Sequence, residues 1–138
     1  MMKGTGFRST WAIAAGVFFV VVSSLATDML LHAMAIFPPW GETMSNALFV
    51  LATVYRLVYA ILGGYITARF APDRPVRHAV ALGIVGLALS TVGAAATWNR
   101  GPALGPHWYP VTLAVTAVPC SWIGGIFRVM RLRGTATD

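Results

Sequence analysis

Ser9–Phe37 reads STWAIAAGVFFVVVSSLATDMLLHAMAIF, and its first 19 residues, Ser9–Thr27, contain no Asp, Glu, Lys or Arg. A helix that crosses the hydrocarbon core takes about 20 apolar residues, so this stretch alone points to a bilayer. Three further runs follow it. Thr43–Phe70 is interrupted only by Arg56 and Arg69, His78–Asn99 gives 22 uncharged residues, and Gly101–Phe127 gives 27. Within lipid every backbone polar group must be satisfied internally, and no alternating strand pattern is present, so the segments read as helices and not as a barrel. The whole chain agrees: 138 residues are 57% hydrophobic and 10% charged, against roughly a quarter charged in a soluble domain. The expected fold is an all-α integral membrane four-helix bundle. It forms one domain over residues 1–138, with spans of about 10–37, 44–70, 77–97 and 108–130.

The punctuation between the runs fits that division. Pro38-Pro39-Trp40-Gly41 stops the first helix, and Thr43 or Ser45 can cap the second. Ala71-Pro72-Asp73-Arg74-Pro75 separates the second from the third, and Asn99-Arg100-Gly101-Pro102 with Gly105-Pro106 forms the last loop. Pro110 suits the first turn of the fourth helix, whereas Pro119 falls inside it. Basic residues then set the orientation. Lys3, Arg8, Arg69, Arg74, Arg77, Arg128, Arg131 and Arg133 fall on one side and Arg100 alone on the other. Both termini are therefore expected in the cytoplasm, and the bias is too strong for a dual topology. Trp40, Trp98, Trp108 and Tyr109 fall at the opposite face as an aromatic belt. A cleaved signal peptide is the competing reading, with Trp11–Val22 as its apolar core and Ser24-Leu25-Ala26 as the cleavage site. The apolar run continues ten residues further, which favours an uncleaved anchor.

One polar constellation stands inside the spans: Asp28, His32, Arg56 and Tyr59. Asp28 and His32 are four apart and share a helix face, and Tyr59 joins the face of Arg56, while Tyr55 is expected to point elsewhere. Counted from the hairpin tip, Asp28 and Arg56 differ in depth by only about 5 Å. An unpaired arginine near the bilayer centre costs roughly 2.5–3.5 kcal/mol on insertion scales and cannot escape by losing its proton. Asp28 is the only acid inside a span, so the two are expected to pair. The pair reads either as a staple between the first two helices or as a polar site for protons, an ion or an anionic headgroup. His32 adds an imidazole, a side-chain type that in general can change charge near neutral pH.

Small residues mark the packing faces: Gly63 and Gly64 on the second helix, Gly83, Gly86 and Ser90 on the third, Ser121 and Gly125 on the fourth. They serve internal packing, or, through a ridge on the third helix, docking onto another subunit. Leu62-Gly63-Gly64 and Ile123-Gly124-Gly125 also suggest a tandem repeat of two hairpins, offset by 61 residues.

Gly63-Gly64-Tyr65-x-x-Ala68-Arg69-x-Ala71-Pro72 followed by His78-Ala79-x-x-Leu82-Gly83-x-x-Gly86 resembles a pattern in a scattered set of small four-helix bacterial inner-membrane proteins. That resemblance covers the second and third helices, extends to Trp108-Tyr109-Pro110 and Pro119–Gly125, and implies an inner-membrane location with no activity attached. Four-helix multidrug transporters carry an acid in their first helix, but no matching motif surrounds Asp28, and Arg56 would neutralise a cation site there.

No HExxH, GxSxG, P-loop or intramembrane carboxylate pair is present, so no enzyme is expected. No cofactor or metal is expected either: Cys120 is the sole cysteine, and the three histidines lie on separate segments. Haem held by His32 and His107 would need a pocket facing both. The net charge of +6 is explained by topology and not by nucleic acid. The expected role is that of a non-catalytic accessory or assembly subunit. Its partners would be membrane lipids and other membrane subunits or further copies of itself. The alternative is a small proton-coupled transporter or channel using Asp28, His32, Arg56 and Tyr59.

Overall fold

The computed structural model describes residues 2–137, with side chains from residue 4 onward; the side chain of Lys3, one of the basic residues counted above, lies outside that range. Four helices make up the described chain: α1 Met2–Ala33, α2 Asn46–Phe70, α3 Pro75–Thr97 and α4 Trp108–Thr135, with one 3-10 turn at Pro102–Leu104. All four are long and apolar enough to cross a membrane, so the chain is an all-α bundle of the kind found in multi-pass membrane proteins. α2 sits centrally, packing on α1, α3 and α4, while α3 and α4 lie along one another and α1 touches α3 only lightly. The termini and the α2–α3 connection lie at one end, called here the terminal end; the α1–α2 and α3–α4 loops lie at the other, the loop end.

α1 begins before residue 10 and stops at Ala33, four residues short of the expected Phe37. The stop is chemical. Ala35 is left-handed at φ 56°, its N–H donates to the His32 carbonyl, and the Ile36 N–H donates to the Leu31 carbonyl at 3.0 Å. These are the two reversed bonds of a Schellman ending, and they satisfy carbonyls that the helix end leaves free. Phe37 then folds back into the buried core, and Pro38-Pro39 prevents any return to helix. Glycine is the usual residue at that left-handed position, and an L-residue there costs about 1–2 kcal/mol. Ala35→Gly should therefore raise resistance to thermal or detergent unfolding by up to about 1 kcal/mol; unchanged or lower stability would show the motif to be unstrained. At the next helix start Ser45, not Thr43, is the cap, its Oγ accepting from the Leu48 N–H at 3.4 Å.

Close approach of the helices is concentrated toward the terminal end. A Cβ on Gly16 would lie 3.1 Å from the Gly63 carbonyl oxygen and strike Thr67, so α1 meets α2 backbone to backbone. A Cβ on Gly64 would meet the Ser121 backbone, and one on Gly124 would come 2.7 Å from the Tyr65 nitrogen. α3 meets α4 where Gly83 faces the Val118 Cα and Gly125 faces Ala79. The Gly83 part of the α3 ridge is thus internal, which removes it from the docking surface suggested by its spacing. Toward the loop end contact loosens: Gly86 stands at ordinary distance from Ala117, and Gly93 has nothing near it. A bundle pinched at one end and loose at the other leaves a gap between its helices.

Candidate functional site

The gap and the intramembrane charges meet at Arg56. On α2 this residue stands two positions from the helix middle, about 3 Å along the axis. Arg56 Nη2 donates to Asp28 Oδ2 at 2.5 Å, with side-chain exposures of 29% and 15%. The other carboxylate oxygen, Oδ1, accepts from the Tyr55 hydroxyl. Tyr55 therefore belongs to the cluster, against the expectation that it points away. Adjacent helical residues diverge by about 100°, and the Asp28 carboxylate enters between them, giving one oxygen to each. The signal available in the sequence was that a two-oxygen acceptor can serve two neighbouring donors.

His32 is not brought to the carboxylate. Its Nδ1–H donates to the main-chain carbonyl of Asp28 at 2.7 Å, one turn back, and its ring stacks on Trp40 at 3.7 Å. That bond holds the ring against its own helix, on the loop-end side of the pair. Tyr59 is one step removed as well. The Thr27 hydroxyl donates to the Ser23 carbonyl and so accepts from the Tyr59 hydroxyl, at 2.7 Å. Polar cross-links thus join α1 to α2 at Thr27–Tyr59, Asp28–Tyr55 and Asp28–Arg56.

Tyr109, expected in an aromatic belt, turns inward instead. Its ring lies 5.9 Å from the Arg56 guanidinium carbon and 5.1 Å from the Phe49 ring; Tyr55 presents its ring to the same guanidinium at 5.8 Å. Aromatic faces attract a cation at such distances, which accounts for the placement. Despite these neighbours Arg56 Nε is buried without a hydrogen-bond partner among the described residues.

The cleft between the helices has a volume of about 460 Å³ and receives residues from all four helices. Arg56 lies in its wall, with Ser24 from α1, Ser90 and Thr97 from α3, and Tyr109 and Thr116 from α4. The rest of the lining is apolar or small, including Gly86 and Ala94. Val21 and Leu25 on α1 and Leu89 on α3 are its exposed rim, so the mouth opens sideways between α1 and α3, where those helices barely touch. Asp28 is not in the lining; the arginine, not the acid, faces the space.

The remaining predicted groups fall elsewhere. Gly63 meets Val20, Gly64 meets Ser121, and Gly125 meets Ala79, each at a helix crossing; Ser121 is buried there. His107 stacks on Trp98 at 4.0 Å and donates from Nε2 to the Trp98 carbonyl. It repeats the arrangement of His32 at a separate place, so the two histidines do not share a pocket. His78 bridges α3 to α1 through Ser9 Oγ at 2.9 Å, and Cys120 is buried. Among the described residues no three His, Cys, Asp or Glu side chains converge as a metal site. No family model, curated protein or solved structure shows significant similarity to this chain.

Proposed function

We propose that the chain is a non-catalytic multi-pass protein of a bacterial inner membrane, serving as an accessory or assembly subunit packed beside a larger membrane complex. The observation that carries this reading is the far face of α3. Ala88, Thr91 and Ala95 are exposed there, one turn apart, on the side opposite the cleft. Small residues at that spacing let the backbone of another helix approach closely, which is how helices associate in lipid. The internal polar groups support the same role. Asp28 accepts from both Tyr55 and Arg56, and Tyr59 bonds to Thr27, as in a staple that fixes the α1–α2 hairpin.

Both termini are assigned to the cytoplasm, because eight of the ten basic residues fall on that side. The two hairpins are read as a tandem repeat on the 61-residue offset between Leu62-Gly63-Gly64 and Ile123-Gly124-Gly125. A transporter is the second reading, favoured by the open cleft that reaches Arg56.

Photo-crosslinkers placed at Ala88 and Thr91, followed by purification from cells at native expression, test the first reading. The expected product is one defined partner, or a second copy, captured from both positions and lost in Ala95→Phe with the bundle's own melting temperature unchanged. Recovery of a lone bundle that drives proton-coupled uptake in liposomes would overturn it in favour of the second.

A further inference from the structure

We infer that the cleft between α1 and α3 is a binding site for a long-tailed membrane lipid whose head is a neutral group bearing carbonyl acceptors, of the quinone type. This goes beyond the subunit role and uses the opposite face of α3, so neither reading depends on the other. Size and lining come first. About 460 Å³ falls within the roughly 300–1,000 Å³ of small-ligand sites, which are mostly apolar with a few placed polar groups. The location comes second: the mouth opens into the region where the helices would face lipid, at the depth of the middle of α2.

The head chemistry follows from Arg56. A guanidinium carries five N–H donors and no acceptor, and here the Asp28 carboxylate is bonded through Nη2 alone. What the cleft presents is therefore donor capacity, joined by the hydroxyls of Ser24 and Ser90 in the same lining. A hydrogen-bond acceptor is the matching group. The charge of that acceptor is decided by Asp28. Its carboxylate already neutralises Arg56 across 2.5 Å, so a second anion at this depth would lose its hydration and face a like charge. A carbonyl oxygen accepts the same bonds without carrying a charge to be desolvated. Tyr109 in the wall offers an aromatic face for a flat head, and the gap between Val21, Leu25 and Leu89 gives a hydrocarbon tail its exit into the bilayer.

Purified full-length protein in phosphatidylcholine nanodiscs, irradiated with an azido-benzoquinone carrying a decyl tail, tests this. Labelling is expected on residues 86–97 of α3 and 109–117 of α4, competed by decylubiquinone but not by decane. Ala94→Phe, which fills the cleft without touching the ion pair, should weaken the competition by about tenfold, the factor given by about 1.4 kcal/mol. Arg56→Lys, which keeps a cation opposite Asp28 but loses the planar fork, should weaken it several-fold. Ala88→Phe, on the far face, should leave it unchanged while abolishing any partner capture, which separates failure of this site from failure of the subunit role. Labelling spread over the exposed α1 residues Phe18 and Leu30, competition by decanoate as strong as by decylubiquinone, or indifference to Ala94→Phe would each overturn the proposal.

Discussion

Asp28→Asn is expected to destabilise the bundle by about 3 kcal/mol, with a matching fall in yield, because it leaves the Arg56 charge in the middle of a span with no opposite charge. Removing one partner of an internal ion pair costs about 3–5 kcal/mol, and an uncompensated arginine at the centre of a span about 2.5–3.5 kcal/mol. The two ranges overlap near the quoted value. Asparagine still accepts from Tyr55 or Arg56, so the hydrogen bonds survive in part and the loss measures charge. The double variant Asp28→Leu with Arg56→Met should recover most of the stability, since an apolar pair leaves no charge unpaired. Unfolding in a graded detergent mixture measures both. Equal stability of Asp28→Asn and the parent would show that the pair does not hold α1 to α2.

Gly124→Leu is expected to be the most damaging glycine substitution, lowering stability by about 3 kcal/mol, the upper end of what overpacking usually costs, and preventing the α2–α4 crossing from closing. A Cβ at Gly124 would collide with the Ile61 carbonyl oxygen and lie 2.7 Å from the Tyr65 nitrogen. Both are backbone atoms of α2, and a backbone cannot swing aside as a side chain does. Even alanine should be poorly tolerated. Gly93→Ala is the internal control, having no atom within 4 Å of the added methyl. It should be neutral, or stabilising by up to about 1 kcal/mol from helix propensity alone. Comparable losses in the two variants would mean that glycine content, not close approach, matters.

Much of the site is legible in the amino-acid sequence. Asp28 stands as the only acid within a span and Arg56 as a cation that cannot discharge, so their encounter follows from scarcity. Their similar depth follows from counting along a tight hairpin. Spacing groups His32 and Tyr59 with them, yet spacing constrains only which face of one helix a residue shares. It says nothing of how that helix is rotated against its neighbour. The rotation observed here sends Asp28 between Tyr55 and Arg56, and leaves His32 to its own backbone and to Trp40. The position of Tyr109 in the chain points to the membrane boundary, and the guanidinium draws it inward. Gly16 and Gly124 carry no packing signal of their own in the sequence, because glycine in an apolar helix is common. What distinguishes them is the backbone lying opposite, which no local pattern encodes.

The number of helices, their approximate ends, the basic asymmetry between the two sides and the identity of the one pair of charges obliged to meet can all be read from the amino-acid order. These are one-dimensional quantities: run lengths, breaker positions and counts of charge, each acting through the free energy of placing a residue in or out of lipid. Which hydroxyl completes the pair, which face of α3 is used up by α4 and which stays free, and the opening of a cleft beside Arg56 emerge from the packing of the helices. Those outcomes depend on where helices cross and how far each is turned about its axis. The crossings are set by glycine contacts between segments distant in the chain, and a turn of one residue moves a side chain by about 100°, enough to exchange one partner for another.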